Sequence, residues 1–115
     1  MDDDARDTIM KFHEALNRRD LDALGDLITD DCVFEATSPA PDGTRHVGRQ
    51  AVLDAFRAFF AGSPAEHFEI EEMFGAGDRV IVRWLYIWAD GHVRGVDVLR
   101  VRAGRVAETL AYVKG

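Results

Sequence analysis

The sequence predicts an α+β fold, with helices gathered on one side of a curved antiparallel β-sheet. Three observations carry that expectation. Ala5, Ile9, Phe12 and Leu16 recur at steps of four, three and four near the start of the chain, which draws one apolar stripe along a helix. From about His67 onward the chain holds four consecutive runs bounded by glycine-bearing turns and rich in β-branched and aromatic residues, a strand pattern. The 115 residues, 47% of them hydrophobic, suit one domain over 1–115 that buries roughly two thirds of its unfolded surface. Helices first and a run of strands afterwards is the α+β order.

The first helix is expected over about residues 3 to 18. Asp20 is placed to cap a short second helix through Leu21, Leu24, Leu27 and Ile28. Asp30-Asp31 then reads as a turn before a strand from Cys32 to Thr37, and Ser38 to Thr44 reads as a loop by its proline and glycine content. A third helix starts near Gly48, carries Val52, Phe56, Phe59 and Phe60 at helical spacing, and ends before Gly62 and Pro64. A strand from about His67 to Phe74 follows, with Phe68, Ile70 and Phe74 on one face, and Gly75 to Asp78 turns it into the next.

The faces of the last strands follow from the turns. Asp90-Gly91 is a dipeptide favoured in type I′ hairpins, so Ala89 is expected to pair with His92, Trp84 with Asp97 and Val82 with Leu99. Asp97 then shares a face with Trp84, Tyr86 and Trp88, while Arg83, Leu85, Ile87, Val96 and Val98 lie on the other. The final turn is open. A two-residue Ala103-Gly104 loop puts Glu108, Leu110 and Tyr112 on the face of Asp97, and a three-residue loop with a glycine bulge puts Thr109, Ala111 and Val113 there.

Composition excludes several classes. Net charge is −7 and the 14 basic residues form no run, which argues against nucleic-acid and anionic-membrane partners. The single cysteine, Cys32, excludes an intramolecular disulfide, and no Cys/His spacing suits zinc. Glu35, Glu69, Glu71 and Glu72 are too dispersed for a metal cage, so no metal or other cofactor is expected. Asp2-Asp3-Asp4 is the reverse of a basic signal-peptide start, and no apolar run reaches transmembrane length. A cytoplasmic location is the expectation.

Over essentially its whole length the chain resembles the nuclear transport factor 2-like superfamily, whose members include ketosteroid isomerases and SnoaL-like polyketide cyclases. The segments that carry the resemblance are Phe12 to Asp22, Leu27 to Phe34, Val47 to Val52 and Gly95 to Val106. It implies a cone-shaped sheet wrapped around three N-terminal helices, a pocket inside the cone, and a homodimer through the convex face. Carried over position by position, the isomerase tyrosine and aspartate fall on Phe12 and Ala36, which cannot do that chemistry, while the protonated acid falls on Asp97. The limonene-epoxide hydrolase relay falls on Leu85, Arg83 and Ala111, so only its arginine remains. SnoaL-like cyclases have an acid/base aspartate at the position of Asp97 and need no cofactor.

Asp97 is accordingly the candidate catalytic residue, because desolvation among aromatics favours its neutral acid form. A small hydrophobic ligand is expected against Phe12, Leu16, Phe34, Phe56, Phe60, Trp84, Tyr86, Trp88, Leu99 and His46. His46, with Arg45 and Arg49 nearby, is a candidate for the pocket mouth and an anionic group, while His13 reads as a solvated helix histidine. Two functional classes fit. One is a cofactor-independent isomerase, cyclase or lyase on a hydrophobic carbonyl compound with Asp97 as acid/base; the other is a non-catalytic small-ligand-binding or dimerisation module.

Overall fold

The computed structural model describes residues 3–62 and 66–115. In chain order they form α1 (Asp3–Arg18), α2 (Leu21–Leu27), β1 (Ile28–Glu35), β2 (Arg45–Val47), α3 (Arg49–Gly62), β3 (His67–Ala76), β4 (Arg79–Trp88), β5 (Gly91–Arg102) and β6 (Arg105–Val113). The strands make one open, curved sheet in the order β2-β1-β6-β5-β4-β3. Ile9, Phe12 and Leu16 of α1, Leu24 of α2 and Val52 and Phe56 of α3 pack on Val80, Val82, Leu99 and Val106 of the sheet in one core cluster. No helix among the described residues is long and apolar enough to cross a membrane.

Helix boundaries have local causes. Asp3 and Asp4 sit in the first turn of α1, where carboxylates suit the helix dipole. Arg19 adopts φ 57°, and paired bonds from Arg19 N to Leu16 O (3.1 Å) and Asp20 N to Ala15 O (3.0 Å) close the helix as a Schellman motif. Asp20 then accepts from Ala23 N at 3.0 Å and caps α2. α1 is tied to the edge strand through Asn17, which donates to Phe68 O (2.9 Å) and accepts from Phe68 N (2.8 Å), so the open backbone edge is satisfied at that residue.

The sheet departs from the expected pattern in five places. It is mixed, because β1 runs parallel to β6; the meander of β3 to β6 delivers β6 beside β1 in the same direction. β1 starts at Ile28 rather than Cys32, and Asp30 and Asp31 occupy an irregularity inside it, where they pair with Arg49 and Arg102 instead of making a turn. The segment before α3 contains β2, a strand of three residues. Glu71 is an extra residue between the pairs Ile70–Trp84 and Glu72–Arg83, so past this bulge Met73 packs on the core and Phe74 turns outward, 49% exposed.

The fifth departure is the β4–β5 register. Trp88 pairs with Gly91, Trp84 with Gly95 and Val82 with Asp97, two residues away from the pairing that an Asp90-Gly91 turn implies. The glycines matter here for size rather than for φ. A Cβ on Gly95 would lie 2.2 Å from Cζ2 of Trp84, and one on Gly91 would lie 2.9 Å from the Trp88 ring, so each indole covers a glycine on the next strand. A slip of two preserves which side chains share a face. At the last turn, Ala103 (φ 51°) and Gly104 (φ 75°) form the two-residue loop. Ala107 is then an extra residue between Val101–Val106 and Arg100–Glu108, which returns Thr109, Ala111 and Val113 to the face of Asp97.

Candidate functional site

Asp97 stands in the middle of β5 on the concave face and is 9% exposed. Its ladder partners are Val82 and Ala111, so neither neighbour offers a polar side chain. Among the described residues its side chain's hydrogen bond comes from Trp84, whose Nε1 donates to Oδ1 at 3.0 Å. Burial drives its pKa up to about 7 against the smaller downward pull of the indole bond. A carboxyl group in this position is available near neutral pH as a proton donor, which an exposed aspartate is not.

Asp97 opens onto a cavity of about 720 Å³. Trp84, Tyr86 and Trp88 form one wall from β4, Phe12 and Leu16 a second from α1, and Ala55, Phe56, Ala58 and Phe59 a third from α3. Phe34 of β1 and Ala36 just past its end, with Thr44 and His46 beside them, close the far side, and Thr109, Ala111 and Val113 of β6 lie between that side and Asp97. The rings are in mutual contact: Phe34 and Phe56 centroids are 5.1 Å apart, Phe68 and Tyr86 4.6 Å, and Phe68 and Trp84 5.4 Å. The Tyr86 hydroxyl donates to the Glu66 carboxylate.

Of the residues assigned to the pocket from sequence, Phe12, Leu16, Phe34, Phe56, Trp84, Tyr86, Trp88, His46 and Asp97 line this cavity. Leu99 and Phe60 do not. Leu99 is fully buried in the core, and Phe60 lies beside Phe56 and Phe59 while Arg19 sits over its ring at 5.7 Å. Sequence reasoning missed Phe59 and Phe68 as wall residues, although both stood on recognised apolar stripes. It also missed Glu66, which carries no periodic signal.

Three basic or titratable groups differ from expectation. Arg45 and Arg49 are not at the mouth: Arg45 bonds Glu35 at 2.6 Å, and Arg49 bonds Ile28 O at 2.9 Å and Asp30 at 2.5 Å. The cavity lining has no lysine or arginine among the described residues, so no permanent cation there would neutralise an anionic ligand. His13 is buried rather than solvated, edge-on to Phe12 and Phe68, and neither ring nitrogen has a hydrogen-bond partner among the described residues. Burial alone lowers its pKa to about 4. Cys32 is buried and its thiol is pushed up to about 12, chiefly by burial. Among the described residues no group of His, Cys, Asp and Glu could hold a metal ion.

Comparison with known proteins locates this geometry. The family model of the SnoaL-like domain matches residues 9–109. The crystal structure of an NTF2-like protein of unknown function from Mesorhizobium loti is 44% identical, with a TM-score of 0.86 over 100% of this chain and 97% of that one. IdmH from Streptomyces antibioticus, a "putative polyketide cyclase", is 26% identical with a TM-score of 0.79, over 96% of this chain and 91% of its own. No curated protein matches the chain in sequence.

Proposed function

The chain belongs to the SnoaL-like domain family, and from that premise we propose that it is a cofactor-independent acid/base enzyme, an isomerase, cyclase or lyase acting on a small hydrophobic carbonyl compound. One observation carries the reading: a carboxyl group whose pKa burial raises to about 7 faces an aromatic cavity large enough for a multi-ring ligand. Oδ1 of Asp97 already accepts the Trp84 indole proton, which leaves Oδ2 to carry the acid proton. That proton is donated to a carbonyl oxygen as negative charge develops there, in a cavity where little water competes. The absence of lysine and arginine from the walls selects an uncharged ligand. The likeness to IdmH supports a carbonyl-rich substrate class.

The test is deuterium exchange at the carbon next to the carbonyl of 2-tetralone in D₂O, followed by proton NMR. The wild type is expected to accelerate exchange, and Asp97→Asn to lower the acceleration roughly 100-fold without loss of ligand binding. A wild type that neither binds the ketone nor exchanges its protons removes the proposal.

The proposal includes a second copy of the chain on the convex face. Leu85, Ile87, Val96 and Val98 are only half-buried there, and Tyr112 and Phe74 are 59% and 49% exposed; Arg83 and Arg94, paired with Glu72 and Glu71, stand among them, and a mixed face with this much exposed apolar area is of the kind that pairs with itself across a two-fold axis. Light scattering at micromolar concentration is expected to give a dimer, and Leu85→Glu a monomer. A monomeric wild type would end this part of the reading.

A further inference from the structure

A second group able to move a proton stands on the wall opposite Asp97. His46 pairs with Phe34 across the β1–β2 ladder, and its ring stacks on the Phe34 ring with centroids 5.7 Å apart and planes 19° apart. The stack fixes the imidazole by its face and leaves free the edge that carries both nitrogens. Neither nitrogen has a hydrogen-bond partner among the described residues. Arg45 and Arg49 on either side are held by Glu35 and Asp30, so neither cation is spent on the imidazole.

The spacing suits a ligand between the two groups. In the sheet order β1 and β6 separate β2 from β5, three inter-strand steps, or roughly 14 Å between backbones at about 4.8 Å a step. Both residues line the same cavity, so a ligand that fills it can meet both. Of the two strands in between, β6 contributes the small Thr109 and Ala111, and β1 contributes Phe34, the ring on which the imidazole stacks.

We infer that His46 is a catalytic base working against Asp97, removing a proton from the carbon next to the carbonyl that Asp97 holds. The inference rests on the carbonyl reading of Asp97 given above. The C–H electron pair becomes the enol double bond, and the carbonyl π pair takes the Asp97 proton. When the carbonyl re-forms, the enol O–H proton returns to Asp97, and the imidazolium delivers its proton to carbon, at the original position or at a conjugated one. No oxidant, reductant or water is consumed. Histidine is the residue type that accepts and returns protons near neutral pH, and two groups fixed on opposite sides of one ligand replace a bimolecular encounter.

The experiment is 2-tetralone exchange in D₂O with His46→Gln, Asp97→Asn and His46→Ala, alongside ketone binding followed by tryptophan fluorescence and folding followed by circular dichroism. The expected result is a loss of roughly 100-fold in His46→Gln with binding unchanged within about two-fold. Free imidazole should restore exchange in His46→Ala beyond its effect in protein-free solution, which a merely structural role would not allow. Exchange retained in His46→Gln but lost in Asp97→Asn overturns this inference and leaves the acid role of Asp97 standing. A fall in exchange matched by an equal fall in binding makes His46 a ligand contact and also overturns it. A wild type without exchange removes both readings together.

Discussion

Gly95→Ala is expected to destabilise the fold by about 3 kcal/mol or more, several times the effect of an ordinary glycine-to-alanine change in a strand. The added methyl would sit 2.2 Å from the Trp84 ring and 2.4 Å from Tyr112 O. The contact with the backbone oxygen is relieved only by distorting the β5–β6 ladder, and the contact with the ring only by displacing the indole. Overpacking contributes about 1–3 kcal/mol, and the loss of the Trp84–Asp97 bond leaves buried polar groups unpaired at a further cost of about 1–3 kcal/mol. Gly91→Ala meets only the Trp88 side chain, at 2.9 Å, and should cost less than half as much. Chemical denaturation of both variants decides the matter, and equal losses would show that the indole over Gly95 is not what holds the register.

Asp97→Asn should change stability by an amount that depends on pH, with a definite sign. The folded pKa of about 7 lies above the unfolded value of 3.8, so the contribution of the neutral acid is fully present below pH 3.8 and is lost as pH rises towards 7. At pH 8 the wild type must hold a buried carboxylate, a penalty of roughly 4 kcal/mol at about 1.4 kcal/mol per unit. An amide cannot ionise, and its oxygen still accepts the Trp84 proton. The substitution is therefore expected to be near neutral at pH 4 and to stabilise by several kcal/mol at pH 8. Denaturant midpoints at pH 4, 6 and 8 measure it, and parallel curves for the two proteins would contradict a buried acid at this position.

Much of this site was legible from period alone. Residues two apart in a strand share a face, so the grouping of Asp97 with Trp84, Tyr86 and Trp88 survived a register slip of two. The stripe of Ala5, Ile9, Phe12 and Leu16 placed α1 against the sheet for the same reason. What escaped depends on contacts between distant parts of the chain. Gly91 looks like a turn residue locally, and only its neighbour Trp88 shows that the missing Cβ matters. The bulges at Glu71 and Ala107 carry no local signature, yet each exchanges the faces beyond it. β1 meets β6 across most of the chain, and β2 is too short to show a period. His13 sits beside Phe12 at the stripe's margin, and β3, through Phe68, is what covers it.

That covered histidine gives the molecule a property in proton bookkeeping. The folded pKa of His13, about 4, lies below its unfolded 6.5, so its contribution weakens as pH falls from 6.5 towards 4. The shift at Asp97, from 3.8 to about 7, acts in the opposite direction across nearly the same interval. On folding in mild acid, the unfolded chain's imidazolium gives up one proton and its carboxylate takes one up. Between these two groups folding is an internal proton transfer: two opposite charges vanish, net charge is conserved, and nothing is exchanged with solvent. The joint contribution of these two burials to stability thus changes little on mild acidification, because their linkages oppose each other.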